Sequence, residues 1–138
     1  MRFDPFYRKR KKEASEHVKE TISLLYNGGD ITSRMEFENE LARAWREFLG
    51  QYNDLNVFEN TGFRKRDAAV RKFHALGELQ LAMGGNTAGM CTHLVAYYMF
   101  AIHIRDNTLT REIAESLGPL MFKGWRRLGL RPPDQNLN

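Results

Sequence analysis

The chain contains one cysteine, Cys91, in 138 residues. A single thiol cannot close an internal disulfide, so the fold has no covalent staple and suits a reducing compartment. Proline is also scarce: there are four, and Pro132 and Pro133 both sit near the C-terminus. Helices are therefore interrupted at few points. No stretch reaches the roughly 20 apolar residues of a membrane span. Leu94 to Ile102 runs nine residues without a charged or amide side chain, and His93 and His103 bracket it. The N-terminus is charged, but Glu13 to Glu20 is polar where a signal peptide needs an apolar region. The expected location is the cytoplasm, with no membrane span.

Motifs for chemistry are missing too. There is no CxxC or HxxxH pair and no nucleophile elbow. His93 and His103 are ten residues apart, which turns them about 80° from each other on a helix. Spacing alone therefore predicts no metal site, no cofactor and no catalytic residue. Cys91 reads as core packing. The carboxylates fall on polar helix faces among Lys and Arg, the pattern of solvated pairs. The segment around His74, FHALGELQLAMGG, has some similarity to a phosphotransfer helix. Gly77-Glu78 stand where that family carries Lys-Gly, so a partly buried helix histidine is the better reading.

What is present is helical periodicity with moderate positive charge. Lys and Arg number 21 against 17 Asp and Glu, giving a net charge of +4. This permits an acidic partner or nucleic acid without requiring one. Ala14, Val18, Ile22 and Leu25 mark a first helix from Glu13 to Tyr26, ended by Gly28-Gly29. Ser33 and Glu36 form a capping-box pattern for a second helix, striped by Phe37, Leu41, Ala44, Trp45 and Phe48 and closed by Gly50. Gln51 to Lys65 is irregular, with apolar residues that predict a loop folded back on the bundle. Asp67 reads as the cap of a third helix, with Ala69, Phe73, Leu76, Leu79 and Met83 inward.

Thr87 to Arg105 is apolar nearly all round and predicts a buried central helix. Thr108 or Thr110 starts the last helix, whose pattern runs to Leu128 with Pro119 inside, and Gly129 ends it. The prediction is one all-α domain, an antiparallel bundle of four or five helices over 13–129. An arm with a basic run precedes it at 1–12, and a disordered tail follows at 130–138.

Two sets of residues suggest binding. Arg8-Lys9-Arg10-Lys11-Lys12 and Arg64-Lys65-Arg66 are candidate anion or nucleic-acid contacts, if the fold brings them together. The second set comes from a resemblance. Asp4-Pro5-Phe6, then Leu25-Tyr26-Asn27-Gly28, then Tyr98-Met99 and Trp125 resemble, in order, the short motifs of the flagellar secretion chaperone (FliS) family. The chain departs from that family at Ile104-Arg105-Asp106-Asn107, where an Ala-Asn pair is usual. The resemblance implies an all-helical protein that cradles a disordered flagellin segment. It implies Phe6, Tyr7, Tyr26, Tyr97 and Tyr98 as client-binding residues.

The expected function is thus a non-enzymatic protein-binding module, an export chaperone in its specific form. The alternative is a basic helical adaptor for nucleic acid, of a phage or mobile-element type. Exposed apolar residues between Gln51 and Lys65 would also suit a homo-oligomer.

Overall fold

The computed structural model describes residues 5–52 and 55–130, without the side chains at 5, 6, 7, 10, 12 and 51. The elements in order are α1 (Pro5–Ile22), a π-helical turn (Ser23–Asn27), α2 (Ile31–Tyr52), α3 (Leu55–Glu59), α4 (Phe63–Ala82), α5 (Asn86–His103) and α6 (Asn107–Leu128). All six helices pack in one bundle, and no strand occurs among the described residues.

α5 is the centre. Twelve of its 18 residues are buried, and it packs against α1, α2, α4 and α6. Its apolar composition on every side is what allows this, since no face needs water. The other helices contribute one stripe each. From α2, Phe37, Leu41 and Phe48 are fully buried, and from α6, Ile113 and Leu117. Burying each such side chain contributes about 1.5–3 kcal/mol. Short turns join α4 to α5 and α5 to α6, so these three helices alternate in direction.

Glycines permit close approach at two helix crossings. A Cβ at Gly124 of α6 would stand 2.2 Å from the Glu38 carbonyl oxygen of α2. A Cβ at Gly77 of α4 would stand 2.4 Å from the His93 ring of α5, and one at Gly89 would stand 2.6 Å from Leu81. The helix backbones are close enough at these points to leave no room for a side chain.

The helix starts differ from the sequence expectations. α1 begins at Pro5, so Arg8 to Lys12 lie inside a helix and not in an arm. α2 is capped by Asp30, whose Oδ1 accepts from the Ser33 amide at 2.8 Å, and not by Ser33. It continues through Gly50 to Tyr52. α4 starts at Phe63 after Gly62, and Asp67 instead pairs with Arg71 at 3.2 Å one turn on. α5 starts at Asn86, one residue before Thr87. Asp106 caps α6, accepting from the Leu109 amide.

Gly28 ends the first helical stretch with φ at −84°, not in the left-handed region. Glycine is needed there because a Cβ would lie 2.8 Å from the Leu24 carbonyl oxygen. Gly129 does take a left-handed φ of 69°, and its amide and that of Leu130 close the end of α6 onto Arg126 and Trp125. Pro119 lies within α6, which spans both sides of it.

The segment after α2 folds back as expected. Phe58 of α3 is fully buried, edge-on to Phe48 at 5.1 Å and to Tyr52 at 5.2 Å. Leu79 of α4 and Met83 just after it, both expected inward, are exposed. Val70, His74 and Gly77 are buried as well, so the inner face of α4 lies on that side of the stripe.

Candidate functional site

Three groupings of polar and aromatic side chains stand out. The first is at the end of the bundle where α2 begins and α6 ends. Tyr26, Ile31, Arg34, Met35, Glu38, Lys123 and Arg127 line a hollow of about 380 Å³. Ile31 is 68 % exposed and Met35 39 %. Glu38 is buried and is held by Arg127, whose Nη2 donates to its carboxylate at 2.8 Å. Arg127 also donates to the Met35 carbonyl oxygen and to Asn39 Oδ1. Lys123 donates to the Tyr26 hydroxyl at 3.1 Å, and that bond raises the lysine pKa. The Arg34 guanidinium lies 6.0 Å from the centre of the Tyr26 ring. Tyr26 therefore carries cations on its ring and its hydroxyl, beside exposed apolar surface.

The second grouping is at the opposite end. Lys11 of α1 is 3.7 Å from Asp106, just before α6. Arg66 of α4 donates from Nε to His103 Nδ1 at 3.2 Å and from Nη1 to the Thr61 carbonyl oxygen at 2.6 Å. Arg105, in the turn between α5 and α6, donates to the Glu59 carbonyl oxygen. Two basic runs thus flank one turn, with Arg8, Lys9, Arg64 and Lys65 exposed around it. α4 and α6 start beside this turn, at Phe63 and Asn107, and α5 ends there at His103. Burial and the Arg105 charge lower the Arg66 pKa. Phe63 is exposed beside Arg64, with the Arg66 guanidinium 5.8 Å from its ring centre. Arg126 and Arg127 are roughly 30 Å away along α6 and belong to the other end.

His103 is buried within this second grouping. Burial first, and the Arg66 charge second, lower its pKa from 6.5 to about 4. The neutral ring accepts from Arg66 and turns Nε2 toward Asp67, 3.8 Å away.

The third grouping joins α4 and α5. The His74 and His93 rings stack with centres 4.5 Å apart and planes 19° from parallel. His93 Nε2 donates to the His74 carbonyl oxygen at 3.2 Å. Glu78 Oε1 is 4.0 Å from His74 Nδ1 and 3.9 Å from His93 Nε2. The spacing of the histidines in the chain gives no sign of this, because the two belong to different helices.

Of the residues implied as client contacts, Tyr26 lies in the first hollow. Tyr97 is 3 % exposed, covered by the rings of His17 and His74. Tyr98 is half-buried against Trp45, with ring centres 5.1 Å apart. The described residues leave no open groove over Tyr97. The side chains of Phe6, Tyr7, Arg10 and Lys12 lie outside the described ones, although all four residues belong to α1. No helix among the described residues is long and apolar enough to cross a membrane. No family model, curated protein or solved structure matches the chain.

Proposed function

We propose that the protein is a non-enzymatic binding module that holds a segment of another protein, in its specific form an export chaperone for a disordered flagellin-like client. The hollow at Tyr26 carries this reading. It sets exposed Ile31 and Met35 beside Arg34, Lys123 and Arg127. Its one carboxylate, Glu38, is already held by Arg127. Such a surface fits a segment with an apolar anchor next to Asp or Glu side chains. A disordered client loses entropy on binding, so apolar anchors have to supply the affinity.

The test is calorimetric titration of a flagellin C-terminal peptide into the full chain. Binding should weaken at least tenfold in Ile31→Asp and Met35→Asp, both at exposed positions that the fold tolerates. If the peptide binds both variants as it binds the parent, the hollow is not the site. If it does not bind the parent at all, the flagellin form of the proposal is dropped.

A second reading rests on the meeting of the two basic runs around the α5–α6 turn. It is a nucleic-acid adaptor, in which exposed Arg64 and Lys65 contact phosphate and Phe63 offers a ring face. Anisotropy of a labelled DNA duplex, followed over a range of salt, separates the two readings. The adaptor requires steeply salt-dependent binding and a shallower salt slope in Arg64→Ala/Lys65→Ala. An unchanged slope removes it.

A further inference from the structure

We infer that His74, Glu78 and His93 form a binding site for a divalent transition metal, with zinc as its natural occupant. One ligand atom from each lies within 4.8 Å of the other two. The two distances to Glu78 Oε1, 4.0 and 3.9 Å, are nearly equal. Around a tetrahedral zinc with bonds of about 2.0–2.1 Å, ligand atoms stand about 3.3 Å apart. The cluster therefore has to contract by well under 2 Å. Glu78, whose side chain is 63 % exposed, closes by itself, while the two histidine rings, 11 % exposed and stacked 19° from parallel, have to turn so that both lone pairs face one ion.

The backbone is shaped for the arrangement. His93 reaches α4 only because residue 77 is glycine, and a Cβ there would overlap the ring. Gly89 of α5 lets the same two helices close further, and each glycine's carbonyl oxygen lies 3.0–3.1 Å from where the other's Cβ would be. Glycine inside a helix costs about 1 kcal/mol relative to alanine. Here α4 and α5 accept that cost at the two positions that bring His74 and His93 together.

The donor set selects the metal. Two imidazoles and one carboxylate suit zinc and its neighbours, and do not suit magnesium or calcium, which prefer all-oxygen shells. Three protein ligands leave a fourth position, on the solvent side next to Glu78, for water. Binding requires the His93 proton to move from Nε2 to Nδ1. The Nε2 lone pair then goes to the metal and replaces the hydrogen bond to the His74 carbonyl oxygen. A metal held this way ties α4 to α5 on the face where His17 of α1 covers Tyr97.

Zinc chloride alone, titrated into the full chain by calorimetry, should bind one to one. Glu78→Gln changes an exposed side chain and leaves the fold intact, and it should weaken binding at least tenfold. His93→Gln should weaken it further, while His17→Ala, outside the triad, should bind as the parent does. Cobalt in place of zinc should give the visible bands of a four-coordinate site. Long-range nitrogen spectra of the folded chain should show zinc shifting His74 Nδ1 and His93 Nε2 and not His103. The inference is overturned if no one-to-one binding occurs, if Glu78→Gln binds as tightly as the parent, or if the shifted nitrogens belong to other histidines.

Discussion

The ring of His93 occupies the space that a side chain at Gly77 would need, with Cδ2 only 2.4 Å from the position of a Cβ. The two residues are on adjacent helices, and the contact fixes how α4 and α5 mesh. Gly77→Ala tests it. Alanine favours helix over glycine, so an unhindered site would gain about 1 kcal/mol. Here the added methyl must displace a ring stacked on His74, with the Gly89 carbonyl oxygen at 3.1 Å behind it. The expected result is a loss of about 1–3 kcal/mol in urea unfolding. The His74–His93 ring contact should weaken in proton spectra. A gain in stability would mean that the crossing is looser than described.

Gly124 and Gly50 make a sharper comparison. Both are inside helices, yet a Cβ at Gly124 meets the Glu38 carbonyl at 2.2 Å, while a Cβ at Gly50 meets nothing within 4 Å. Backbone cannot step aside as a flexible side chain can. Gly124→Ala should push α6 off α2 and cost about 2–4 kcal/mol. Gly50→Ala should stabilise by about 0.5–1 kcal/mol through helix propensity alone. Thermal melts of the two variants should move in opposite directions. A melting temperature that rises or stays unchanged in Gly124→Ala would refute the crossing.

The pattern of the chain made α5 legible as the central helix, because a segment apolar on all sides has only one stable environment. The stripes Phe37-Leu41-Phe48 and Ile113-Leu117 were legible because their apolar residues recur at helical spacing. The places that carry chemistry were not. His74 and His93 meet through the register of α4 on α5, and that register is set by Gly77 and Gly89, whose role appears only when two backbones touch. Tyr97 looked like a groove residue, but α1 and α4 cover it with two histidine rings. The basic run suggested a late helix start because charge opposes the dipole. That effect is worth about 0.3–1 kcal/mol, too little by itself to keep Arg8 to Lys12 out of the helix. The convergence of Lys11 and Arg66 on one turn needs the whole bundle to be seen.

Arg105 has φ at 58°, a left-handed conformation in a residue with a Cβ. It ends α5 as glycine ends most helices, with its amide bonded to the Ile102 carbonyl oxygen and that of Asp106 to Ala101. The conformation costs about 1–2 kcal/mol in a residue other than glycine. The side chain offsets part of this by donating to the Glu59 carbonyl oxygen at 3.2 Å, an exposed bond. Arg105→Gly removes both, along with a like charge that lowers the Arg66 pKa. Net stability should rise by about 0.5–1 kcal/mol, read from the urea midpoint. A fall would show that the contact with Glu59 outweighs the backbone strain. DNA affinity, if the nucleic-acid reading holds, should drop in the same variant. Stability and binding would then part company at one residue.

His103 links the basic end of the bundle to pH. In the unfolded chain its pKa is 6.5, and in the fold it is lowered to about 4, chiefly by burial. Between those two values the unfolded chain binds a proton that the native chain refuses. The contribution of His103 is therefore complete above pH 6.5, shrinks as pH falls through the window and reaches its floor below about 4. Each pKa unit is worth about 1.4 kcal/mol, so the loss is at most about 3.5 kcal/mol. Other groups also contribute to the pH dependence of the parent, so its curve alone does not isolate His103. His103→Asn does: its side-chain oxygen can accept from Arg66 Nε in place of Nδ1, and it carries no titrating proton. The variant should be less stable than the parent near neutral pH, where it loses packing against Phe63, whose ring centre is 4.7 Å from that of His103. The gap should narrow steadily as pH is lowered toward about 4.5. Equal slopes for the two proteins across that window would mean that His103 takes up its proton as readily in the fold as in the unfolded chain, which its burial and the Arg66 guanidinium beside it argue against.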